Sequence, residues 1–145
     1  MIGYPTQSFS SLGMHTSVNQ PANALKMHVR NTGKITLPFA DLMFLQATGN
    51  YSWLHWNDGQ RMLLPRTLKY YEPQLPIGLF VRAHRSCIIN IHYIERMVPT
   101  YPDRGGVIHL RSGDVLPVSR RRWATIRKIY QSLPTTDRYT LTGMA

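Results

Sequence analysis

Residues 80–90, Phe-Val-Arg-Ala-His-Arg-Ser-Cys-Ile-Ile-Asn, set Arg82, His84, Arg85, Ser86 and Asn90 among two apolar pairs, Phe80-Val81 and Ile88-Ile89. In a strand, alternate side chains point to opposite faces, so the apolar members can anchor in a core while the polar heads project. Those heads suit an anion or a base edge. Guanidinium forks onto phosphate or guanine, and a side-chain amide pairs with an adenine edge. The plainer alternative is a buried strand end in which Arg82 and His84 satisfy backbone carbonyls. A second cluster, Ser119-Arg120-Arg121-Arg122, opens a segment of helical periodicity. A helix N-terminus carries about half a positive charge, so three arginines in its first turn are unfavourable unless an anion docks there. Exposed arginines pointing into solvent are the rival account. A third stretch, Thr48-Gly49-Asn50-Tyr51, is a polar break between two apolar segments, and taken alone it reads as an ordinary tight turn.

Enzymatic chemistry finds little support. His15, His28, His55, His84, His92 and His109 have no metal-ligand spacing, and the single Cys87 offers no thiolate cluster. His84 and Ser86 are the types of a base and a nucleophile, but no nucleophile-elbow glycines surround them. The seven acidic residues are scattered, which disfavours a two-metal site. No Gly-rich phosphate loop precedes a helix. The expectation is a non-enzyme without cofactors.

The elements that must position these clusters are mostly strands. Lys34–Phe39 alternates, with Ile35, Leu37 and Phe39 on one face, and Pro38 assigns it to an edge or a strand end. Leu42–Ala47 and Tyr51–Trp56 follow, and Asn57-Asp58-Gly59 is a hairpin signal. Arg66–Glu72 predicts a short helix with Leu68 and Tyr71 inward, stopped by Pro73. Tyr93–Val98 predicts a strand and Pro102–Gly106 a loop. Val107–Arg111 and Asp114–Val118 flank a two-residue Ser112-Gly113 turn, a register that would set Arg111 opposite Asp114. Trp123, Ile126, Ile129, Tyr130 and Leu133 form one stripe of a final helix, capped by Ser119 and ended by Pro134.

Size and composition bound the rest. The 145 residues, 43 % hydrophobic, have room for one ordinary domain. No apolar run approaches the roughly 18 to 20 residues of a membrane span. Residues 1–25 lack charge and the apolar core of a signal peptide, and one cysteine rules out an internal disulfide, so a cytoplasmic location is expected. The expected organisation is a flexible arm over 1–25, a domain over 26–133 and a flexible tail over 134–145. The net charge is +10, and residues 82–128 hold ten basic and three acidic residues against three of each in residues 41–81. A local arginine excess of this kind is the electrostatic footprint of a nucleic-acid binder. A membrane surface is the weaker rival, because no basic amphipathic helix with an exposed apolar face is visible.

The order of the pieces carries more than any one of them. Thr48-Gly-Asn-Tyr51, Thr67-Leu68, residues 80–90, Tyr93-Ile94 and Leu116-Pro-Val-Ser-Arg-Arg-Arg122 together closely resemble the LytTR DNA-binding domain, the output domain of many bacterial response regulators. The resemblance runs from about residue 35 to 133. It implies a mostly β fold unrelated to the helix-turn-helix, with antiparallel strands in several small sheets, a short central helix and a C-terminal helix. It further implies that loops 48–51, 82–90 and 119–122 enter the major groove of double-stranded DNA. The implied contact residues are Asn50, Tyr51, His84, Arg85, Asn90, Arg120 and Arg121. Asn90 and Arg120 are expected on bases, whereas Arg85, Arg121, Arg122 and Lys128 are expected mainly on phosphates. Ser86 and Ser119 read as caps. Many members of the family follow a receiver domain and this sequence has none, so a stand-alone transcription regulator is expected, acting on promoter repeats as a homodimer with its input from a separate signalling protein. The alternative from another class is an interaction module whose basic loops bind an acidic protein partner. A single-strand binder stacking bases on Tyr51, Trp53 and Trp56 is weaker, since Trp53 and Trp56 lie on opposite faces of their strand.

Overall fold

Among the described residues, alternating and continuous apolar segments build ten strands, paired antiparallel in three sheets. The computed structural model describes residues 24–29, 33–100, 102 and 105–134. Of the expected arm over 1–25 and tail over 134–145, residues 1–23 and 135–145 lie outside them. The chain divides into two compact units, residues 1–41 and 42–145. The first holds β1 (Ala24–Val29), β2 (Gly33–Pro38) and a 3-10 turn (Phe39–Asp41). β1 and β2 form a hairpin pairing Ala24 with Pro38 and Val29 with Gly33, so strand structure begins just inside the expected arm.

In the second unit a five-stranded sheet runs in the order β5-β4-β3-β7-β6. Its strands are β3 (Leu42–Thr48), β4 (Tyr51–Trp56), β5 (Arg61–Pro65), β6 (Phe80–His84) and β7 (Cys87–Asn90). The apolar run Leu42–Leu45 is buried throughout, as suits the central strand. β4 alternates, burying Ser52, Leu54 and Trp56 while Tyr51 is exposed. Trp53 and Trp56 therefore occupy opposite faces, and the Arg61 guanidinium covers the Trp53 ring at 4.4 Å. The short helix α1 (Leu68–Tyr71) buries Leu68 and Tyr71, and the chain continues past the predicted stop as a 3-10 turn, Glu72–Gln74, in which Pro73 is tolerated because it sits in the first turn.

A three-stranded sheet, β10-β9-β8, is built from β8 (Ile94–Pro99), β9 (Gly106–Leu110) and β10 (Val115–Val118). Its hairpin departs from the predicted register. Val115 pairs with His109 and Leu110 donates to the Asp114 carbonyl at 2.9 Å, which places Gly113 rather than Asp114 across from Arg111. Gly113 has φ +100°, so the loop holds three residues, the length that uses a left-handed glycine, and the strands slip by one. Asp114 instead accepts from the Ser112 hydroxyl at 2.6 Å, and Arg111 lies over the Tyr93 ring at 5.0 Å.

Helix α2 (Arg120–Ser132) covers both sheets' apolar faces. Ile126 and Tyr130 enter a cluster with Phe44, Ala83, Ile89 and Ile108, and the Tyr130 hydroxyl donates to the Glu95 carbonyl at 2.9 Å. The helix can approach β9 because Gly106 lacks a Cβ. An added methyl would lie 2.3 Å from the Val98 oxygen and 2.6 Å from the Trp123 ring. Gly106→Ala should therefore cost about 1–3 kcal/mol in a urea melt, the range for overpacking.

His55 makes stability depend on pH. It stacks on Phe44 at 4.1 Å, and its Nε2 is buried with no hydrogen-bond partner among the described residues. Burial holds its pKa below the ordinary 6.5, against the Asp114 carboxylate, which raises it, and alongside Arg61, which lowers it. The unfolded chain then takes up a proton near pH 6.5 that the folded chain resists. This contribution is intact above about pH 6.5 and is lost as pH falls toward the folded value. Urea midpoints should drop between pH 7 and pH 5, and His55→Phe should flatten that slope.

Candidate nucleic-acid interface

Residues 80–90 form a hairpin rather than one strand. β6 and β7 pair Phe80 with Asn90 and His84 with Cys87, with a bulge between Arg82 and His84, so Arg85 and Ser86 make the tip. The tip is locked by Arg82. Its Nη1 meets Glu72 Oε1 at 2.7 Å, its Nε donates to the His84 carbonyl at 3.0 Å, and its Nη2 donates to the Arg85 carbonyl at 3.0 Å. Arg82 thus fulfils the plainer expectation, shaping the loop with its charge balanced by Glu72.

Register carries this tip to the Asn50-Tyr51 loop. Gln46 pairs with Cys87, Thr48 pairs with Tyr51, and the Ala47 N–H donates to the Ser86 carbonyl at 2.8 Å. Both loops project from one end of the five-stranded sheet. Asp58, in the β4–β5 turn, lies at the other end.

The third loop arrives through two long-range contacts. The Ser119 N–H donates to the Ala83 carbonyl at 2.9 Å, and the Cys87 thiol lies 3.5 Å from the Pro117 carbonyl. Burial pushes the Cys87 thiol up to about 12, against opposing influences from Ser86 and Arg82, so it stays a protonated packing group. Ser119 caps α2 by accepting from the Arg122 N–H at 3.3 Å. The first backbone N–H groups of a helix have no intrahelical acceptor, and here Arg120 and Arg121 follow the cap directly.

These contacts enclose an open cleft of about 610 Å³ lined by Arg82, His84, Arg85 and Ser119 through Arg122. No carboxylate is among its lining residues, and α2 has no acidic residue in its first turn. Arg85, Arg120, Arg121 and Arg122 are exposed. His84 Nδ1 accepts the Ser86 backbone N–H at 3.1 Å and lies 2.8 Å from the Ser86 hydroxyl. The neutral ring therefore carries its proton on Nε2, a donor for a phosphate or guanine oxygen.

Four expected residues stand outside this cleft, Asn50 and Tyr51 on the neighbouring loop and Asn90 and Lys128 elsewhere. Asn90 is 1 % exposed, its Nδ2 donates to the Leu42 carbonyl at 2.9 Å, and its Oδ1 accepts the His92 N–H at 3.0 Å. Its amide caps the 3-10 turn Ile91–Tyr93 and ties β7 to β3, so it serves the fold and cannot present an edge to a base. Lys128 is exposed on the face of Arg121, seven residues further, about 10 Å along the helix axis. It does not line the cleft. Conversely, Glu72 enters the site through Arg82, a pairing that no spacing in the sequence signals.

Comparison with known proteins gives a consistent picture. The family model described as the LytTr DNA-binding domain matches residues 33–131. The sensory transduction protein LytT of Bacillus anthracis is 25 % identical over 134 residues, 87 % of this chain and 52 % of that protein. The heme-containing CO-sensing transcriptional regulator RcoM 2 of Paraburkholderia xenovorans is 27 % identical over 121 residues, 83 % of this chain and 45 % of that protein. The chain therefore spans about half the length of these relatives. Among solved structures, the LytTr DNA-binding domain of a protein described as a methyl-accepting/DNA response regulator from Bacillus cereus superposes with a TM-score of 0.62 at 22 % identity, over 77 % of this chain and 99 % of that one. This likeness establishes the shared fold, mostly β in antiparallel sheets with short helices.

Proposed function

Because this chain belongs to the LytTR family of DNA-binding domains, we propose that residues 26–133 bind specific double-stranded promoter sequences as the output unit of a transcription regulator. The observation that carries this reading is the carboxylate-free cleft where Arg85 and Arg120–Arg122 converge on a helix N-terminus. Arginine forks and backbone N–H groups there suit phosphate oxygens and the acceptor edge of guanine. Arg120, nearest the cap, is assigned to a base edge, and His84 adds its Nε2–H. Arg85, Arg121 and Arg122 hold phosphates, with Lys128 as an outlying contact on the same helix face. Asn50 and Tyr51 approach from the neighbouring loop. A homodimer on repeated sites fits this use, with the signal input placed outside residues 26–133 and the protein acting in the cytoplasm. No helix among the described residues is long and apolar enough to cross a membrane.

Selection of duplexes from a random DNA pool tests the reading, with the winner and a scrambled control titrated across a salt series. A winner carrying a short repeated motif, held well above the control while both weaken with salt, supports sequence-specific binding. Equal binding that vanishes near physiological salt reduces the charge to generic attraction and turns attention to an acidic protein partner.

A further inference from the structure

Arg66 is the one non-glycine residue among those described with a left-handed backbone, at φ +113°. A long side chain in that region is strained, and such strain persists only where the surroundings over-determine it. The surroundings here do so on both sides of the residue. The Arg66 N–H donates to the Asn50 carbonyl at 3.2 Å, and the Arg66 carbonyl accepts from the buried Ser52 hydroxyl at 2.9 Å. The preceding carbonyl, of Pro65, accepts from the Tyr71 hydroxyl at 2.7 Å. Burial, with Tyr70 adding, pushes the Tyr71 phenol up to about 12 against the pull of Arg66, so it remains a donor. The exposed Arg66 guanidinium lies 4.6 Å over the ring of Tyr70, itself 46 % exposed.

This corner stands at the sheet end that carries the Asn50-Tyr51 loop and the Arg85-Ser86 tip, because Tyr51 pairs with Pro65. It is on the far side of that end. From β5 to β7 are three strand spacings, or roughly 14 Å, against a major groove about 12 Å wide. Loops that occupy the groove near β7 leave the β5 corner over the groove's edge, where the phosphates are. Resting on the DNA-binding reading above, we propose that Arg66 is a further contact of this interface, a phosphate clamp braced on Tyr70 at the flank opposite the arginine cleft.

The test uses Arg66→Gly, which relieves the left-handed strain while removing the charge, and Arg66→Lys, which keeps the charge. Arg66→Gly should melt at or above the wild-type temperature, yet bind selected and scrambled duplexes about 5- to 10-fold more weakly, with the slope of log K against log salt reduced by about 0.9. Arg66→Lys should retain that slope. Wild-type affinity and slope in Arg66→Gly would overturn the assignment. So would a lowered melting temperature whose unfolded fraction accounts for the whole loss, since Arg66 would then serve the fold alone. If the wild-type protein itself binds no duplex, the failure belongs to the DNA-binding reading, and the clamp falls with it.

Discussion

Replacing Arg120, Arg121 and Arg122 together by alanine is expected to abolish duplex binding at physiological salt while leaving the domain folded. Each of the three is exposed at the first turn of α2, and together they line the cleft with Arg85 and His84. One base contact at about 1–3 kcal/mol and two phosphate contacts give a loss of roughly 100-fold or more, with a salt slope lower by about 2. Fold stability should move the other way, if at all. Cations at a helix N-terminus oppose its dipole by about 0.3–1 kcal/mol each at low salt, so their removal should hold or raise the melting temperature. Titration by fluorescence anisotropy beside a thermal melt checks both halves. Undiminished binding in the triple variant would remove the cleft from the interface. Among single variants, Arg120→Ala should alter base preference, whereas Arg121→Ala should weaken all duplexes alike.

Asn90→Ala should instead act on stability, by about 2–4 kcal/mol, because it strands two backbone groups inside the protein. The Leu42 carbonyl loses its 2.9 Å donor, and the His92 N–H loses its 3.0 Å acceptor along with the cap of the 3-10 turn. The variant molecules that remain folded should rank duplexes as the wild type does. A urea titration measures the first effect, and a competition between selected and scrambled duplexes below the unfolding transition measures the second. A variant of unchanged stability whose preference shifts at one base position would return Asn90 to the interface.

These two predictions mark where reading residues in order stops. The pattern of the apolar positions was enough for β3 and β4 of the five-stranded sheet, because side chains alternate locally and the buried face must be apolar. The same holds for α2, whose stripe of Trp123, Ile126 and Tyr130 and whose Ser119 cap recur in the structure. The excess of arginine over residues 82–128 was equally legible, since charge needs no partner to be counted. Asn90 was not. Its position after two isoleucines suggests a projecting amide, and the group that captures it, the Leu42 carbonyl, is 48 residues away in the chain. Nor was the break at Arg85-Ser86, where a guanidinium three residues back replaces the glycine that usually signals a turn.

The sequence by itself determined the class of fold, the capped arginine-led helix and the basic character of the loops, all properties of neighbours along the chain. Only the tertiary structure decided which of those residues meet. The Ser119–Ala83 and Ala47–Ser86 hydrogen bonds bring three separate loops to one end of a sheet, and Glu72 neutralises Arg82 but leaves Arg85 exposed. A backbone carbonyl accepts from whatever donor the fold delivers, so residue identity at one position cannot reveal the partner.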